Sequence, residues 1–259
     1  MYNNKLLQKK VRKILKENER IDDLQINNLK IIQNIDGFCF GIDSVILSEF
    51  AKDIKNNSIV LDLGTGTGIL SILLAGKTNL QKIYGIEIQE EVAEMAKRSV
   101  KLNNLEDRVE IVNKNIKELN EIFEKNSFDS IVTNPPYKKL ETGKTNEREN
   151  KFISRHEVTA SLEDFIKTSF DLLKDKGSIF MVHRPERLAE IIYILKKHKL
   201  EPKKIRFVHS NNEQEPKLVL IKAVKNAKEF LIVEKPLIIY KENGEYTDEI
   251  LEIYNKKIK

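Results

Sequence analysis

The most informative stretch of this 259-residue sequence is Val60-Leu61-Asp62-Leu63-Gly64-Thr65-Gly66-Thr67-Gly68-Ile69. An apolar run typical of a buried strand leads into three alternate glycines and then into a segment with helical spacing of apolar residues. Glycine lets the backbone turn tightly and approach a ligand closely. The stretch therefore predicts a strand, a glycine loop and a helix, with a ligand at the carboxyl edge of a parallel sheet.

Strand-like and helix-like segments alternate on both sides of this loop. The predicted strands are 59–63, 82–87, 109–112, 128–133, 178–182, 204–209 and 218–224, and the predicted helices are 68–78, 90–104, 115–124, 161–173 and 186–198. This rhythm predicts an α/β fold, a Rossmann-like seven-stranded sheet with helices on both faces. Only residues 210–216 separate the last two strands, which is too short for a parallel crossover. We therefore expect six parallel strands and an antiparallel last strand.

The chain divides into three predicted parts. Residues 1–55 combine a basic N-terminal helix with a small attachment, in which 29–33 and 38–40 are predicted strands around a turn. Residues 56–228 form the sheet domain. Residues 229–259 form a C-terminal extension packed on it, with a strand at 237–240, a turn at Asn243-Gly244 and a short amphipathic helix.

Charge favours a polyanionic partner. The chain carries 45 Lys and Arg against 40 Asp and Glu, a net charge of +5. The first twenty residues concentrate positive charge, including Lys9, Lys10, Arg12 and Lys13. This run is either a solvated helix face or a nucleic-acid contact.

Composition excludes several classes of protein. Cys39 is the only cysteine, which rules out an intrachain disulfide and a thiolate-rich metal site, and the four histidines are far apart, so we expect no metal. No apolar run approaches the roughly 18 residues of a membrane span. No secretory signal is recognisable either. We expect a cytoplasmic protein with no membrane association and no obligatory protein partner.

Two acidic residues accompany the glycine loop. Asp62 precedes the first glycine, and Glu87 ends the next predicted strand, where a carboxylate can accept two ribose hydroxyls. The loop has GxGxG spacing, unlike the GxGxxG of dinucleotide-binding loops. A carboxylate beside the loop repels a pyrophosphate but suits a cationic sulfonium and an ammonium.

A second motif, Asn134-Pro135-Pro136-Tyr137, follows the predicted strand 128–133. Two consecutive prolines cannot continue a central strand, so the chain leaves the sheet here in a rigid turn. The Asn134 side-chain oxygen and the Pro135 carbonyl can accept both hydrogens of a conjugated amino group and aim its nitrogen, while Tyr137 stacks on the planar group. This arrangement suits a reaction at an amino nitrogen in which positioning and electrostatics supply most of the catalysis.

The two motifs together resemble the S-adenosylmethionine-dependent methyltransferases with a Rossmann-like sheet, so residues 56–228 would be the methyltransferase catalytic domain. The resemblance implies that S-adenosylmethionine is the cofactor, that Asp62 and the loop contact its methionine end, and that Glu87 holds the ribose. The implied cofactor-binding residues are Asp62, Gly64, Thr65, Gly66, Gly68, Glu87, Ile88, Asn115 and Ile116. Asn115 stands where the family usually has an Asp near the adenine amino group.

Further segments resemble the bacterial valine-tRNA adenine-N6 methyltransferases, which modify the adenine next to the anticodon. These are residues 37–44, 155–157, 215–217, 236–240 and 245–247. This resemblance implies N6-methylation of adenine at position 37, with the tRNA anticodon stem-loop as partner. It also implies that Phe40 and Asp43 border the cofactor pocket, although Asp43 can equally be a helix cap.

Further residues are candidates for substrate binding. The resemblance implies that Arg155 and His156 order a substrate loop, with a surface ion-pair cluster as the alternative. Arg184 follows the predicted strand 178–182 at the same sheet edge, where it can contact phosphate. If the basic run is a nucleic-acid contact and not a solvated helix face, Lys9, Lys10, Arg12 and Lys13 belong to the same set.

Other functions agree with the same sequence motifs. The same Asn-Pro-Pro-Tyr motif occurs in release-factor glutamine N5-methyltransferases and in amino-methyltransferases of ribosomal RNA or DNA. A non-catalytic S-adenosylmethionine-binding RNA module is the alternative from another class. The short segment before the sheet argues against the release-factor enzymes, and the lack of a large recognition region argues against DNA.

Overall fold

The computed structural model describes residues 14–35, 41–137 and 160–256. Its helices are α1 (Ile42–Phe50), α2 (Ile69–Lys77), α3 (Glu90–Leu102), α4 (Leu162–Leu172), α5 (Leu188–Lys197) and α6 (Asp248–Ile253), with short 3₁₀ helices at Ile116–Glu121 and Pro185–Arg187. Its strands are β1 (Glu19–Asp23), β2 (Lys30–Asn34), β3 (Ile59–Leu63), β4 (Lys82–Glu87), β5 (Val109–Asn113), β6 (Phe128–Thr133), β7 (Leu173–His183), β8 (Leu200–His209), β9 (Pro216–Lys225), β10 (Ile232–Val233) and β11 (Leu237–Ile238).

The main sheet of the described chain confirms the predicted topology. Its strand order is β10-β8-β9-β7-β6-β3-β4-β5, and β11 also pairs with β8. The strands β3 to β7 pair in parallel, whereas β9 runs antiparallel to both β7 and β8. Among the seven predicted strands, six therefore share one direction and the last is reversed.

The helices cover both faces of the sheet, which gives the fold two hydrophobic layers. One layer contains α1, α2, α3 and α6, represented by the buried Leu47, Leu73, Ala96 and Ile250. The other contains α4 and α5, represented by the buried Phe165 and Ile191. Because apolar side chains lie on both sides, the central strands read as nearly continuous apolar runs in the sequence.

The N-terminal attachment differs from our expectation. Strand β2 pairs antiparallel with β1, from Glu19 opposite Asn34 to Asp23 opposite Lys30. The sequence predicts no strand at Glu19–Asp23 and places the second strand of the attachment at 38–40 instead. The predicted strand 38–40 and the helical run before residue 14 lie outside the described residues. The polar sequence of β1 does not predict a strand. The strand forms because its backbone pairs with β2.

The carboxyl ends of the central strands meet at one edge of the sheet. The Thr133 side chain at the end of β6 donates to the Leu63 carbonyl at the end of β3 at 2.9 Å. On the other side of β3, the Thr65 N–H donates to the Ile86 carbonyl of β4 at 2.8 Å. These bonds place the glycine loop and the Asn-Pro-Pro-Tyr turn side by side.

The C-terminal segment packs on the main sheet. The strand β11 extends the outer edge of β8, and Leu237, Ile239, Ile250 and Ile253 are all buried. The turn at Asn243-Gly244 is present, with Gly244 at φ +82°.

Candidate active site

The glycine loop between β3 and α2 has the left-handed backbone that its sequence requires. Gly64, Gly66 and Gly68 have φ values of +73°, +58° and +88°. A Cβ atom added at Gly68 would lie 3.3 Å from the Cβ of Ala96 on α3, whereas one at Gly66 would meet no atom within 4 Å. Gly68 thus allows close packing of two helices, and Gly66 leaves open space on the outer side of the loop for a ligand.

Asp62 lies behind this loop, with only 1% of its surface exposed. Its Oδ2 atom accepts hydrogen bonds from the Thr65 hydroxyl at 2.6 Å and from the Ser71 hydroxyl at 2.8 Å. Burial raises the pKa of this carboxyl to about 6, although the two hydroxyls oppose the shift. The sequence singled out Asp62 but not Ser71, whose role depends on the turn of the loop.

Glu87 ends β4 on the other side of the loop and is 2% exposed. Its two oxygens accept hydrogen bonds from the Gly66 N–H at 3.0 Å and from the Gln89 N–H at 2.9 Å. Each carboxylate oxygen has a further lone pair, which can accept from a bound hydroxyl. The carboxylate therefore joins the glycine loop to the segment that contains Ile88.

Asn115, Ile116 and Ile88, the residues predicted near the adenine of the cofactor, differ from one another in burial and in their contacts. The Asn115 side chain accepts from the Lys117 N–H at 3.1 Å, so it caps the 3₁₀ helix. Ile116 is buried, and Ile88 is half-buried beyond Glu87. Asn113 donates to the carbonyls of Glu87 and Ile88 and fixes the backbone there.

The charge of the loop region fits a cationic ligand. Neither Asp62 nor Glu87 forms a salt bridge with any residue of the described chain. Two uncompensated carboxylates repel a pyrophosphate and attract the sulfonium and ammonium groups of S-adenosylmethionine.

The Asn-Pro-Pro-Tyr turn follows β6 and is stabilised by its own side chains. The Tyr137 hydroxyl lies 2.6 Å from Asp43 Oδ2 and 2.8 Å from Asn134 Oδ1. Burial and the neighbouring Asp43 carboxylate raise the pKa of Tyr137, so the phenol stays protonated. A hydroxyl has one proton. It can therefore donate to only one of these two oxygens at a time.

The end of β7 and the turn after it surround the Tyr137 ring. The Arg184 guanidinium lies 5.1 Å from the ring centroid, and the His183 ring lies 5.1 Å away at an interplanar angle of 54°. Arg187 Nη1 donates to the Tyr137 carbonyl at 3.3 Å. Arg184, expected to contact phosphate, also donates to the Lys217 carbonyl. His183 and Arg187 were not predicted as site residues, and their only sequence signal is their place just after a predicted strand.

Seven of the predicted site residues lie outside the described residues: Phe40, Arg155, His156, Lys9, Lys10, Arg12 and Lys13.

No cluster of His, Cys, Asp and Glu suited to a metal ion occurs within residues 14–35, 41–137 and 160–256. In those ranges, no helix has the length and apolar character needed to cross a bilayer.

Solved structures share the fold at low sequence identity. A predicted O-methyltransferase from Agrobacterium tumefaciens matches with a TM-score of 0.68 and 21% identity, covering 82% of this chain and 95% of that one. A tRNA m1G37 methyltransferase from M. jannaschii matches with a TM-score of 0.59 and 18% identity, covering 83% of this chain and 59% of that one. At these identities the likeness concerns the fold alone.

Curated relatives are similar in sequence over most of the chain. A Flavobacterium johnsoniae protein named tRNA1(Val) (adenine(37)-N6)-methyltransferase is 27% identical over 229 residues, 88% of this chain and 96% of that protein. A Porphyromonas gingivalis protein of the same name is 29% identical over 185 residues, 70% of this chain and 72% of that protein.

The chain also matches the sequence model of a protein family, over a range that includes both the glycine loop and the Asn-Pro-Pro-Tyr turn. The match extends over residues 41–203, well over half of the chain, and includes α1, which carries Asp43. Membership of this family implies S-adenosylmethionine as the methyl donor, in agreement with the uncompensated carboxylates beside the loop. The chain belongs to the methyltransferase small domain family.

Proposed function

We propose that this protein is a cytoplasmic tRNA methyltransferase that transfers a methyl group from S-adenosylmethionine to N6 of the adenine at position 37 of a valine tRNA. The observation that carries the proposal is the Asn134 side chain, held at the carboxyl end of β6 beside the acidic glycine loop. The names of the relatives from Flavobacterium johnsoniae and Porphyromonas gingivalis support this choice of substrate.

The cofactor would lie along the glycine loop. Glu87 would accept the ribose hydroxyls, and the half-buried Ile88 and buried Ile116 would contact the adenine ring. Asp62 would act through the loop by its charge, because its exposed surface is only 1%. When bound, S-adenosylmethionine supplies an electrophilic methyl group on a cationic sulfur.

The protein's part in the reaction is to position the target amino group. The Asn134 Oδ1 atom and the Pro135 carbonyl would accept its two hydrogens and direct the nitrogen lone pair toward the methyl carbon. Attack by the amino nitrogen on that carbon would break the carbon–sulfur bond, and the electron pair would stay on sulfur as a neutral thioether. The nitrogen, now cationic, releases its proton to water, so no general base is needed before attack.

The substrate class is tested by supplying methyl-labelled S-adenosylmethionine with unmodified tRNA, duplex DNA or a release factor. Nuclease digestion and mass spectrometry should identify N6-methyladenosine at position 37 of valine tRNA. Label in a protein glutamine or in N2-methylguanosine would contradict the adenine assignment and leave the methyltransferase assignment intact.

The role of Asn134 has its own test. Asn134→Ala should lower kcat by roughly a hundredfold or more, the range for loss of a positioned transition-state group. The affinity for S-adenosylmethionine, measured by calorimetry, should not change, since Asn134 contacts the acceptor. Asn243→Ala, in the exposed turn of the C-terminal extension, is the matched control and should leave both quantities unchanged.

A further inference from the structure

His183, the last residue of β7, holds a buried hydrogen-bond donor. None of its surface is exposed, and its Nδ1 atom accepts the Arg184 N–H at 2.7 Å. Burial and the neighbouring Arg187 lower the pKa of the ring to about 4, so it is neutral at physiological pH. With Nδ1 as acceptor, the single proton is on Nε2. Among the described residues, Nε2 has no hydrogen-bond partner.

A buried polar atom without a partner is uncommon and calls for an explanation. The His183 ring lies against the Tyr137 ring, whose π face is at best a weak acceptor. The residues around the ring that affect its charge are Arg184, Arg187 and Glu190. Arg184 and Arg187 offer only donors, and Glu190 is paired with Arg187 at 3.0 Å. Within residues 14–35, 41–137 and 160–256, the site thus keeps this donor without an acceptor for it.

His183 is close to the proposed methyl acceptor site. Thr133 of β6 is opposite Met181 of β7 in the parallel pairing. Asn134 therefore follows one strand and His183 ends the neighbouring strand, and adjacent strands are about 4.8 Å apart. The buried donor and the Asn134 oxygen lie at the same sheet edge.

Tyr137 contacts both groups. Its hydroxyl lies near Asn134 Oδ1, and its ring lies against the His183 ring. When the hydroxyl donates to Asp43, the Asn134 oxygen is available to the target amino group. A shift of the ring toward the stacking position would also uncover His183 Nε2. An acceptor and a donor would become accessible together.

We propose that His183 donates its Nε2–H to N1 of the target adenine while Asn134 accepts from the N6 amino group. In adenine, N1 is bonded to the same carbon as the amino group, so the base presents a donor next to an acceptor. Asn134 and His183 form the complementary pair. His183 is then a specificity-determining residue, and its assignment rests on the proposed adenine substrate.

The test substitutes single atoms of the base. Valine tRNA is prepared with adenine, 1-deazaadenine or 7-deazaadenine at position 37, and kcat/KM for methyl transfer is measured with wild-type protein and His183→Phe. Loss of the N1 acceptor should lower wild-type kcat/KM roughly 10- to 100-fold, as expected for a buried donor left without its partner. Removal of N7 should change it by less than about threefold, within the scatter of such effects.

The decisive result is whether the effect of removing N1 from the base depends on the His183 side chain. The kcat/KM penalty for 1-deazaadenine in wild-type protein, divided by the same penalty in His183→Phe, should be roughly 10- to 100-fold. This comparison cancels any change in amine reactivity caused by the deaza substitution. His183→Gln, which restores a side-chain N–H, should recover part of the preference for adenine.

Two outcomes would overturn the proposal. One is a 1-deazaadenine penalty that persists undiminished in His183→Phe, and the other is coupling of His183 to N7 instead of N1. Melting temperature and S-adenosylmethionine affinity check that each variant is folded, and His183→Leu replaces His183→Phe if the latter is not. If wild-type protein methylates no tRNA with natural adenine, the proposed function fails before the analogues are compared.

Discussion

Asp43, Tyr137 and Asn134 share a single phenolic proton. If Tyr137 donates to Asp43 at 2.6 Å, the Asn134 oxygen is released from its bond to the hydroxyl. Donation to the charged carboxylate is the stronger of the two bonds. Asp43 would therefore position Tyr137 and keep Asn134 available for the target base. This role differs from the contact with the cofactor that the sequence resemblance implied for Asp43.

Asp43→Ala is expected to lower kcat roughly tenfold, the size of one lost charge-assisted hydrogen bond. The affinity for S-adenosylmethionine should stay within twofold of the wild type, which calorimetry can measure. Asp53→Ala, at an exposed aspartate just beyond α1, is the control and should leave kcat unchanged. A loss of cofactor affinity in Asp43→Ala would instead favour the cofactor-pocket assignment.

The raised pKa of Asp62 predicts a pH dependence of cofactor binding. Its carboxyl is largely protonated below about pH 6 and charged above it. Only the charged form attracts the sulfonium and ammonium groups, so the affinity for S-adenosylmethionine should rise as the pH increases through about 6. Asp62→Asn should bind more weakly at pH 8 and lose this dependence. An unchanged profile in Asp62→Asn would show that another group titrates.

The pKa shift of Asp62 also affects folding. Between the ordinary carboxyl pKa of 3.8 and about 6, the folded protein retains a proton that the unfolded chain has lost. The contribution of Asp62 to stability therefore decreases as the pH rises through this range. Asp62→Asn should remove that decrease in pH-dependent thermal unfolding.

Sequence reasoning located the site residues whose types are unusual in their positions. Alternate glycines after a strand and paired prolines at a strand end are rare unless the backbone requires them, so Gly66 and Asn134 stood out. His183 and Ser71 are ordinary residues in a strand end and a helix. Their roles depend on which strands become neighbours and how the loop turns, which local sequence does not encode.

At the scale of elements, the β1–β2 hairpin is joined to α3 by a charged clamp. Arg98 on α3 donates to Glu19 at 2.5 and 2.7 Å, to Glu94, and to the Ile14 carbonyl. The side chains of Glu19 and Arg98 are only 5% and 16% exposed. The clamp therefore acts in a largely water-excluded environment, where loss of one partner leaves the other unpaired.

Arg98→Ala should lower the free energy of unfolding by about 2 kcal/mol at pH 7, between the values for exposed and buried pairs. Arg98 lowers the pKa of Glu19, so the pair stabilises the fold above the ordinary carboxyl pKa and loses this effect as the pH falls. The difference between wild type and Arg98→Ala should thus shrink below about pH 4 in urea titrations. The exposed Lys52–Glu49 pair is the control, and Lys52→Ala should cost less than about 0.5 kcal/mol.

The strands were predicted well where both faces are buried and poorly where they are not. The runs at 59–63, 82–87 and 128–133 match β3, β4 and β6 residue for residue. In contrast, β1 is polar, and β10 has only two residues, both exposed. The formation of such strands depends more on hydrogen bonding to a neighbouring strand than on their own side chains.

At the scale of the whole molecule, the C-terminal extension belongs to the hydrophobic core. Ile250→Ala on α6 should lower the free energy of unfolding by roughly 2–5 kcal/mol, because Ile250 is fully buried in the layer of α1 and α2. Val233→Ala, at a residue that is 61% exposed on β10, should have little effect and is the matched control. Equal stability of the two variants in urea denaturation would mean that the extension folds as a separate unit.

The outer edge of β8 has a further consequence during protein synthesis. Ile232–Val233 and Leu237–Ile238 both pair with that edge, yet they follow β8 in the chain. A growing polypeptide that has completed β8 and β9 therefore presents an open row of backbone donors and acceptors until residues 226–238 have also left the ribosome. Open sheet edges invite strand addition from other chains. A translational pause between β9 and β11 would prolong this vulnerable stage and increase aggregation of the nascent protein.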